Sequence, residues 1–234
     1  MSRTVPRSLP AEPAGHPRGE LLGVLFDMDG LLVDSEPLWF EVESSVMSRL
    51  GGSWQESDQQ ALVGGSLSRS LDYLLTKAAR PVPRETVAGW MVGGMVELVN
   101  SRSLPAMPGA RELLAEVAAA GVPYALVTSS ERPVMEAVLD QLDVAFPVTV
   151  CGDDVSKSKP DPEPYLLAAA KLGADPRHCV AIEDSPNGVA SAAAAGCLTI
   201  AVPSMVPIPA AERRLVVASL TELSLDRLYR LAAG

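Results

Sequence analysis

A chain of 234 residues that is 47% hydrophobic but only 4% aromatic, with a net charge of −10, has room for one sizeable aliphatic core plus a smaller inserted unit. The acidity argues against a nucleic-acid partner, because phosphate backbones are held by clustered Lys and Arg; a phosphate-bearing ligand must be met by a local positive site. Every apolar run is broken by charge, Gly or Pro before it reaches the length of a membrane span, which argues against a membrane partner.

Residues 1–19 are rich in Pro, Arg and small residues, lack the apolar core of a signal peptide, and read as a disordered arm. The run Leu21-Leu22-Gly23-Val24-Leu25-Phe26 then reads as a buried strand, and at its end stand Asp27 and Asp29, followed by Gly30. Two unit charges about 4 Å apart repel by roughly 4 kcal/mol at an effective dielectric of about 20. Paired carboxylates at a strand tip therefore ask for a bound cation, a shared proton, or both, and they point to chemistry.

Helical spacing follows. Leu38, Val42, Val46 and Leu50 recur before Gly51-Gly52; Leu67, Leu71, Leu74 and Leu75 recur after Gly64-Gly65-Ser66; Val87, Met91, Val96 and Val99 follow Pro83. This predicts an all-helical insertion over 36–104. Its ends, near Val33 to Pro37 and Leu104 to Pro108, fall where a hinge lets a cap close over the strand tips.

Beyond the insertion, apolar β-like runs alternate with helical patterns. The runs are Pro123 to Thr128, Pro147 to Cys151, Cys179 to Glu183, Leu198 to Val202 and Leu215 to Val217. Helices are expected over Arg111 to Ala120, stopping at Gly121, over Pro133 to Leu142, and from Ser185-Pro186 to near Gly196. The class is α/β, a doubly wound parallel sheet formed by 20–35 and 105–234. Cys151, Cys179 and Cys197 are far apart, odd in number and without metal-ligand spacing, as in strands of a reduced, cytoplasmic protein. His16 and His178 are the only histidines, too little material for a histidine triad.

Further polar residues fall at the strand ends, where open α/β sheets place their sites. Thr128-Ser129-Ser130 ends one strand; Ser130 is expected to cap the helix that follows. Lys157 and Lys159 lie beyond the next strand, and Glu183-Asp184 closes another.

The string Phe26-Asp27-Met28-Asp29-Gly30-Leu31-Leu32-Val33-Asp34-Ser35-Glu36 closely resembles the first motif of the haloacid dehalogenase superfamily, in its phosphotransferase branch with a helical cap. Thr128 resembles the second motif, Lys159-Pro160 the third and Glu183-Asp184 the fourth, so the resemblance covers nearly the whole chain after the arm. It implies a Rossmann-like core in which Asp27 is a nucleophile and Asp29 a general acid/base. Thr128, Ser129 and Lys159 would bind phosphate. Mg²⁺ would be held by Asp27, Asp184 and the backbone carbonyl of Asp29, with Glu183 standing behind the ligands. Lys157 is then a solvated residue, and Glu36 and Arg69 are the substrate candidates on the cap.

The implied activity is Mg²⁺-dependent hydrolysis of a small phosphomonoester, a sugar or polyol phosphate, through an aspartyl-phosphate. True dehalogenases lack the second aspartate. Phosphonate hydrolases replace it too and use a cap lysine; Asp29 is present here and Lys77 is the cap's only lysine. The closer rival is β-phosphoglucomutase, which carries a histidine where Trp39 stands and a basic cap-loop residue where Gly65 or Leu67 falls. A non-catalytic phosphate-binding module is the alternative of another kind, separated by metal-dependent turnover. The sequence argues against a P-loop kinase, since no Gly-rich run ends in Lys-Ser or Lys-Thr.

Overall fold

The computed structural model describes residues 21–233, so the arm expected over 1–19 lies outside the described residues. The strands β1 (Gly23–Phe26), β2 (Tyr124–Val127), β3 (Val148–Val150), β4 (Cys179–Glu183), β5 (Leu198–Ala201) and β6 (Arg214–Val216) form one sheet. Its order is β3-β2-β1-β4-β5-β6, and every neighbouring pair is parallel. All of these strands fall on the apolar runs read from the sequence.

Both faces of the sheet are buried, which is what nearly continuous apolar strands require. Period-two alternation sends Val24, Phe26, Leu126, Val180 and Ile182 into one apolar cluster. That face is covered by α5 (Ala110–Ala119), α6 (Arg132–Leu142) and α9 (Leu225–Ala232), through residues such as Leu113, Val138 and Leu228. Leu25, Ala125, Val127 and Ala181 face the other way, against α7 (Glu163–Leu172) and α8 (Pro186–Ala194), which supply Tyr165, Ala168, Ala169 and Ala192. Small alanines let these two helices lie close to the sheet. Cys151, Cys179 and Cys197 are free and buried, as small apolar residues are.

Between β1 and α5 the chain forms α1 (Glu36–Arg49), α2 (Glu56–Gln60), α3 (Leu67–Lys77) and α4 (Arg84–Ser101). Pro37 sits in the first turn of α1, and Gly51, at φ 80°, follows its end. The Ser66 side chain caps α3. Leu38, Val42, Val46, Leu74, Met91 and Val99 are buried as the spacing predicts.

The two chain segments that join this insertion to the sheet are paired. The Met107 N–H donates to the Leu32 carbonyl at 2.8 Å, and the Asp34 N–H to the Pro105 carbonyl at 3.3 Å. The apolar cluster on the α5 face continues through Leu31, Leu32, Val33 and Leu104 into the helices of the insertion. One continuous cluster predicts one cooperative transition. Trp39, Trp54 and Trp90, the chain's only tryptophans, all lie in the insertion. Tryptophan fluorescence and far-UV circular dichroism are therefore expected to report coincident urea transitions. Leu74→Ala should lower both by about 2–5 kcal/mol; separated transitions would contradict a shared core.

Candidate active site

The strand order reverses between β1 and β4, and at such a switch point a parallel sheet leaves a crevice at the carboxyl ends of its strands. Phe26 pairs with Ile182, so Asp27 and Glu183 arrive level with each other. The Lys159 ammonium sits between them. It donates to Asp27 Oδ1 and Glu183 Oε1, each at 2.5 Å, and to the Val127 carbonyl at 2.8 Å. Lys159 and Asp27 are each 5% exposed and Glu183 is fully buried. Lys157, by contrast, is exposed, and its ammonium lies 3.6 Å from Asp161.

Burial works against the Lys159 charge, but Asp27 and Glu183 more than offset it and hold the ammonium above its ordinary pKa. Burial first, and then the charge of Glu183, push Asp27 well above the usual carboxylate range. Burial and the charge of Asp27 do the same to Asp184.

Glu183 is saturated with donors. The Tyr165 hydroxyl donates to its Oε1 at 2.6 Å, and its Oε2 accepts from the Asp184 N–H, the Ser185 N–H and the Ser185 hydroxyl. Gly188 makes room for this carboxylate, since a Cβ there would fall 1.9 Å from it. Ser185 also accepts the Gly188 N–H at 3.1 Å and so caps α8.

Asp29 lies in a cage of four donors. Its Oδ1 accepts from the Ser35 hydroxyl at 2.7 Å and Trp39 Nε1 at 3.1 Å; its Oδ2 accepts from the Ser130 hydroxyl at 2.7 Å and the Thr128 hydroxyl at 3.2 Å. This corrects the expected role of Ser130. It does not cap α6, because that helix starts at Arg132 with Glu131 at the N-cap position and Pro133 in its first turn. The Arg132 N–H is taken by Asp153 at 2.6 Å. Ser130 is free to serve the cleft instead. Its sequence position, two residues past a strand end, was the available signal, but helix capping competed for the same hydroxyl.

The insertion supplies the far wall of the cleft. Glu36 lines it and accepts from Gln59 Nε2 at 3.0 Å; Glu43, one further pair of turns along α1, lines it and accepts from Trp54 Nε1 at 3.0 Å. Burial, then the charge of Asp29, raises Glu36 to about 7. Burial, then the charge of Glu36, raises Glu43 to about 8. The sequence reading missed Glu43, since nothing in a helical apolar stripe marks an interleaved glutamate as buried. Arg69 is exposed, donates to the Ala61 carbonyl at 2.8 Å, and does not line the cleft.

Asp27, Glu183 and Asp184 each offer a carboxylate oxygen within 4.8 Å of the others. Three buried carboxylates against one ammonium leave two negative charges uncompensated. An all-oxygen donor set of that charge fits a hard dication such as Mg²⁺. Glu183 is already saturated, which leaves Asp27 and Asp184 with coordinating capacity. Gly30, at φ 74°, keeps the approach to Asp184 open, for a Cβ there would fall 2.2 Å from Asp184 Oδ2. Ser129 Oγ is buried on the cleft wall with no hydrogen-bond partner, a deficit of about 1–3 kcal/mol that a ligand oxygen would relieve.

Residues 24–202 match the family model described as haloacid dehalogenase-like hydrolase. Hexitol phosphatase B of Escherichia coli (strain K12) is 35% identical over 214 residues, covering 88% of this chain and 95% of that protein. The phosphorylated carbohydrates phosphatase of Thermotoga maritima is 36% identical over 176 residues, covering 74% of this chain and 81% of that one. Among solved structures, CbbY from Rhodobacter sphaeroides in complex with phosphate is similar with a TM-score of 0.82 at 27% identity, over 89% of this chain and 99% of that one. The chain belongs to the haloacid dehalogenase-like hydrolase family, within its phosphatases.

Glu43 makes stability depend on pH. Its folded-state pKa of about 8 lies above the ordinary 4.5, so the native protein holds the proton more tightly than the unfolded chain. Stability from this group is therefore lost as pH rises from about 4.5 to about 8. Glu43→Gln retains an acceptor for Trp54 and removes the titration. Urea unfolding should show little difference near pH 5 and a gain on the order of 1–3 kcal/mol near pH 8.5. A difference independent of pH would contradict this assignment.

Proposed function

We propose that the protein hydrolyses a small phosphomonoester, a sugar or polyol phosphate, with Mg²⁺ as its cofactor and an aspartyl-phosphate on Asp27 as its intermediate. The observation that carries this reading is the Lys159 ammonium wedged between Asp27 and Glu183, beside Asp184 and the unpartnered Ser129 hydroxyl. The names of the relatives, which act on phosphorylated carbohydrates and hexitols, support the substrate class.

Asp27 and Asp184, with the Asp29 carbonyl, would hold Mg²⁺, which would supply charge neutralisation for the phosphoryl oxygens. A carboxylate oxygen of Asp27 attacks phosphorus; the new O–P bond forms as the bond to the ester oxygen breaks. The Asp29 carboxyl gives its proton to the departing alkoxide. Asp29 then takes a proton from water as that water attacks the aspartyl-phosphate, releasing orthophosphate and restoring Asp27. Lys159, Thr128 and Ser129 hold the phosphoryl oxygens through both displacements.

The insertion over 36–104 acts as a cap on the core formed by 20–35 and 105–234. Support for this comes from the paired connecting segments and from cap residues that touch the core at the cleft mouth. Asn187 donates to the Val63 carbonyl at 3.0 Å, and Gly64 lies so close to Ser185 that a Cβ would fall 2.2 Å from its hydroxyl. Among the described residues no helix is long and apolar enough to cross a membrane, and all three cysteines are free, which supports a cytoplasmic setting.

The test is phosphate release from sugar and polyol phosphates with Mg²⁺ or with EDTA. Release should require Mg²⁺, and Asp27→Asn should lower it by about three orders of magnitude or more while circular dichroism shows the variant still folded. Normal turnover by that variant would remove the proposed nucleophile. Interconversion of glucose 1-phosphate and glucose 6-phosphate without net release would favour the mutase.

A further inference from the structure

Charge is distributed unevenly along the cleft. At the phosphoryl end, Lys159 is the one basic side chain that lines the cleft among the described residues, and its ammonium is already committed to Asp27 and Glu183. The cleft walls also carry Glu36 and Glu43 from the insertion and Glu131 from the core. The guanidinium groups nearest in sequence to these walls are spent elsewhere, Arg69 on the Ala61 carbonyl at 2.8 Å and Arg132 on Asp154 at 2.5 Å.

Each of the three carboxyl groups is itself short of positive compensation. Glu131 is raised to about 7, by burial and by its contact with Asp153, and Glu36 and Glu43 are raised as described. An anion brought into this space is desolvated without a cation to receive it, and once Glu36 and Glu43 are ionised it also meets their negative charge. Uncharged hydroxyls meet no such penalty. They find Glu36, Glu43, Gln59 and Ser70 as hydrogen-bonding partners, interleaved with the apolar surface of Leu67 and Met91. Gln59 and Trp54 anchor the Oε2 atoms of Glu36 and Glu43, fixing both carboxyls on the wall.

We infer that Glu36 and Glu43, in their ionised forms, make a charge filter that admits phosphate esters with a neutral, hydroxyl-bearing leaving group and rejects those carrying a second anionic group. This rests on the proposed phosphatase reading for the location of the phosphoryl group. It separates neutral polyol and sugar monophosphates, which fit, from bisphosphates and phosphorylated sugar acids, which do not.

The test uses a matched pair, sorbitol 6-phosphate and 6-phosphogluconate, which share a six-carbon hydroxylated chain and differ in net charge at the far end. Binding to the full chain carrying Asp27→Asn is measured by calorimetry in Mg²⁺ at pH 9, above the raised values of about 7 for Glu36 and about 8 for Glu43, so that both carboxyls are ionised and no turnover intervenes. Sorbitol 6-phosphate should bind at least about tenfold more tightly, the equivalent of about 1.4 kcal/mol. Adding Glu36→Gln and Glu43→Gln on that background should narrow the ratio at least about threefold, with circular dichroism confirming that the variant is folded.

Equal or tighter binding of 6-phosphogluconate, a ratio unmoved in the folded triple variant, or no binding of either ester would overturn the filter. Phosphate release by the wild-type protein from p-nitrophenyl phosphate reports on the hydrolase separately. If that fails while the binding order holds, the phosphatase reading falls and the filter stands.

Discussion

The Lys159 ammonium, held by Asp27 and Glu183 at the adjoining tips of β1 and β4, is the interaction on which the rest of the site depends. Burying one carboxylate alone is costly; burying several around one ammonium is tolerable only if hydrogen bonds satisfy the remaining lone pairs. The chain meets that condition around Glu183 with Tyr165 from α7, two backbone N–H groups, the Ser185 hydroxyl and the space left by Gly188. Sheet topology places these groups together, because β1 and β4 are neighbours although about 150 residues separate them in the chain. The acidic excess that remains after Lys159 is counted gives the pocket the charge and the oxygen donors that could hold a cation.

The second organising feature is the division of labour between sheet and insertion. Fixed groups on strand tips form one wall of the cleft, while α1 and the segment after α2 form the other. Asp29 belongs to both. Its carboxylate is held by Thr128 and Ser130 from the core and by Ser35 and Trp39 from the start of the insertion. A group bonded from both sides of the connecting segments is well placed to couple movement of the helices to proton transfer. The Trp39 indole N–H, from the first turn of α1, orients Asp29.

Much of this was legible in the sequence, for physical reasons that can be named. The central strands β1 and β4 are buried along their whole length and therefore continuous in hydrophobicity, and the polar residues that matter stand at or directly after the ends of β1, β2 and β4: Asp27, Thr128, Glu183 and Asp184. Helices with a buried stripe, such as α1, α3 and α4, declared themselves by spacing. What escaped notice lacked such contrast. The helix α2 is five polar residues, and α7 packs through alanines and Tyr165 rather than through a leucine stripe. Glu43 and Ser130 were missed or misassigned because their roles depend on groups distant in sequence, the first on Trp54 and the cleft, the second on Asp29.

Chemical denaturation of Lys159→Met, in EDTA and in millimolar Mg²⁺, tests the charge balance at the heart of the site. Removing the ammonium while Asp27, Glu183 and Asp184 stay buried should cost about 3–5 kcal/mol in EDTA. Mg²⁺ should recover part of that loss, since a bound dication supplies the missing positive charge. Wild-type stability in EDTA, or a loss that Mg²⁺ leaves untouched, would contradict the account.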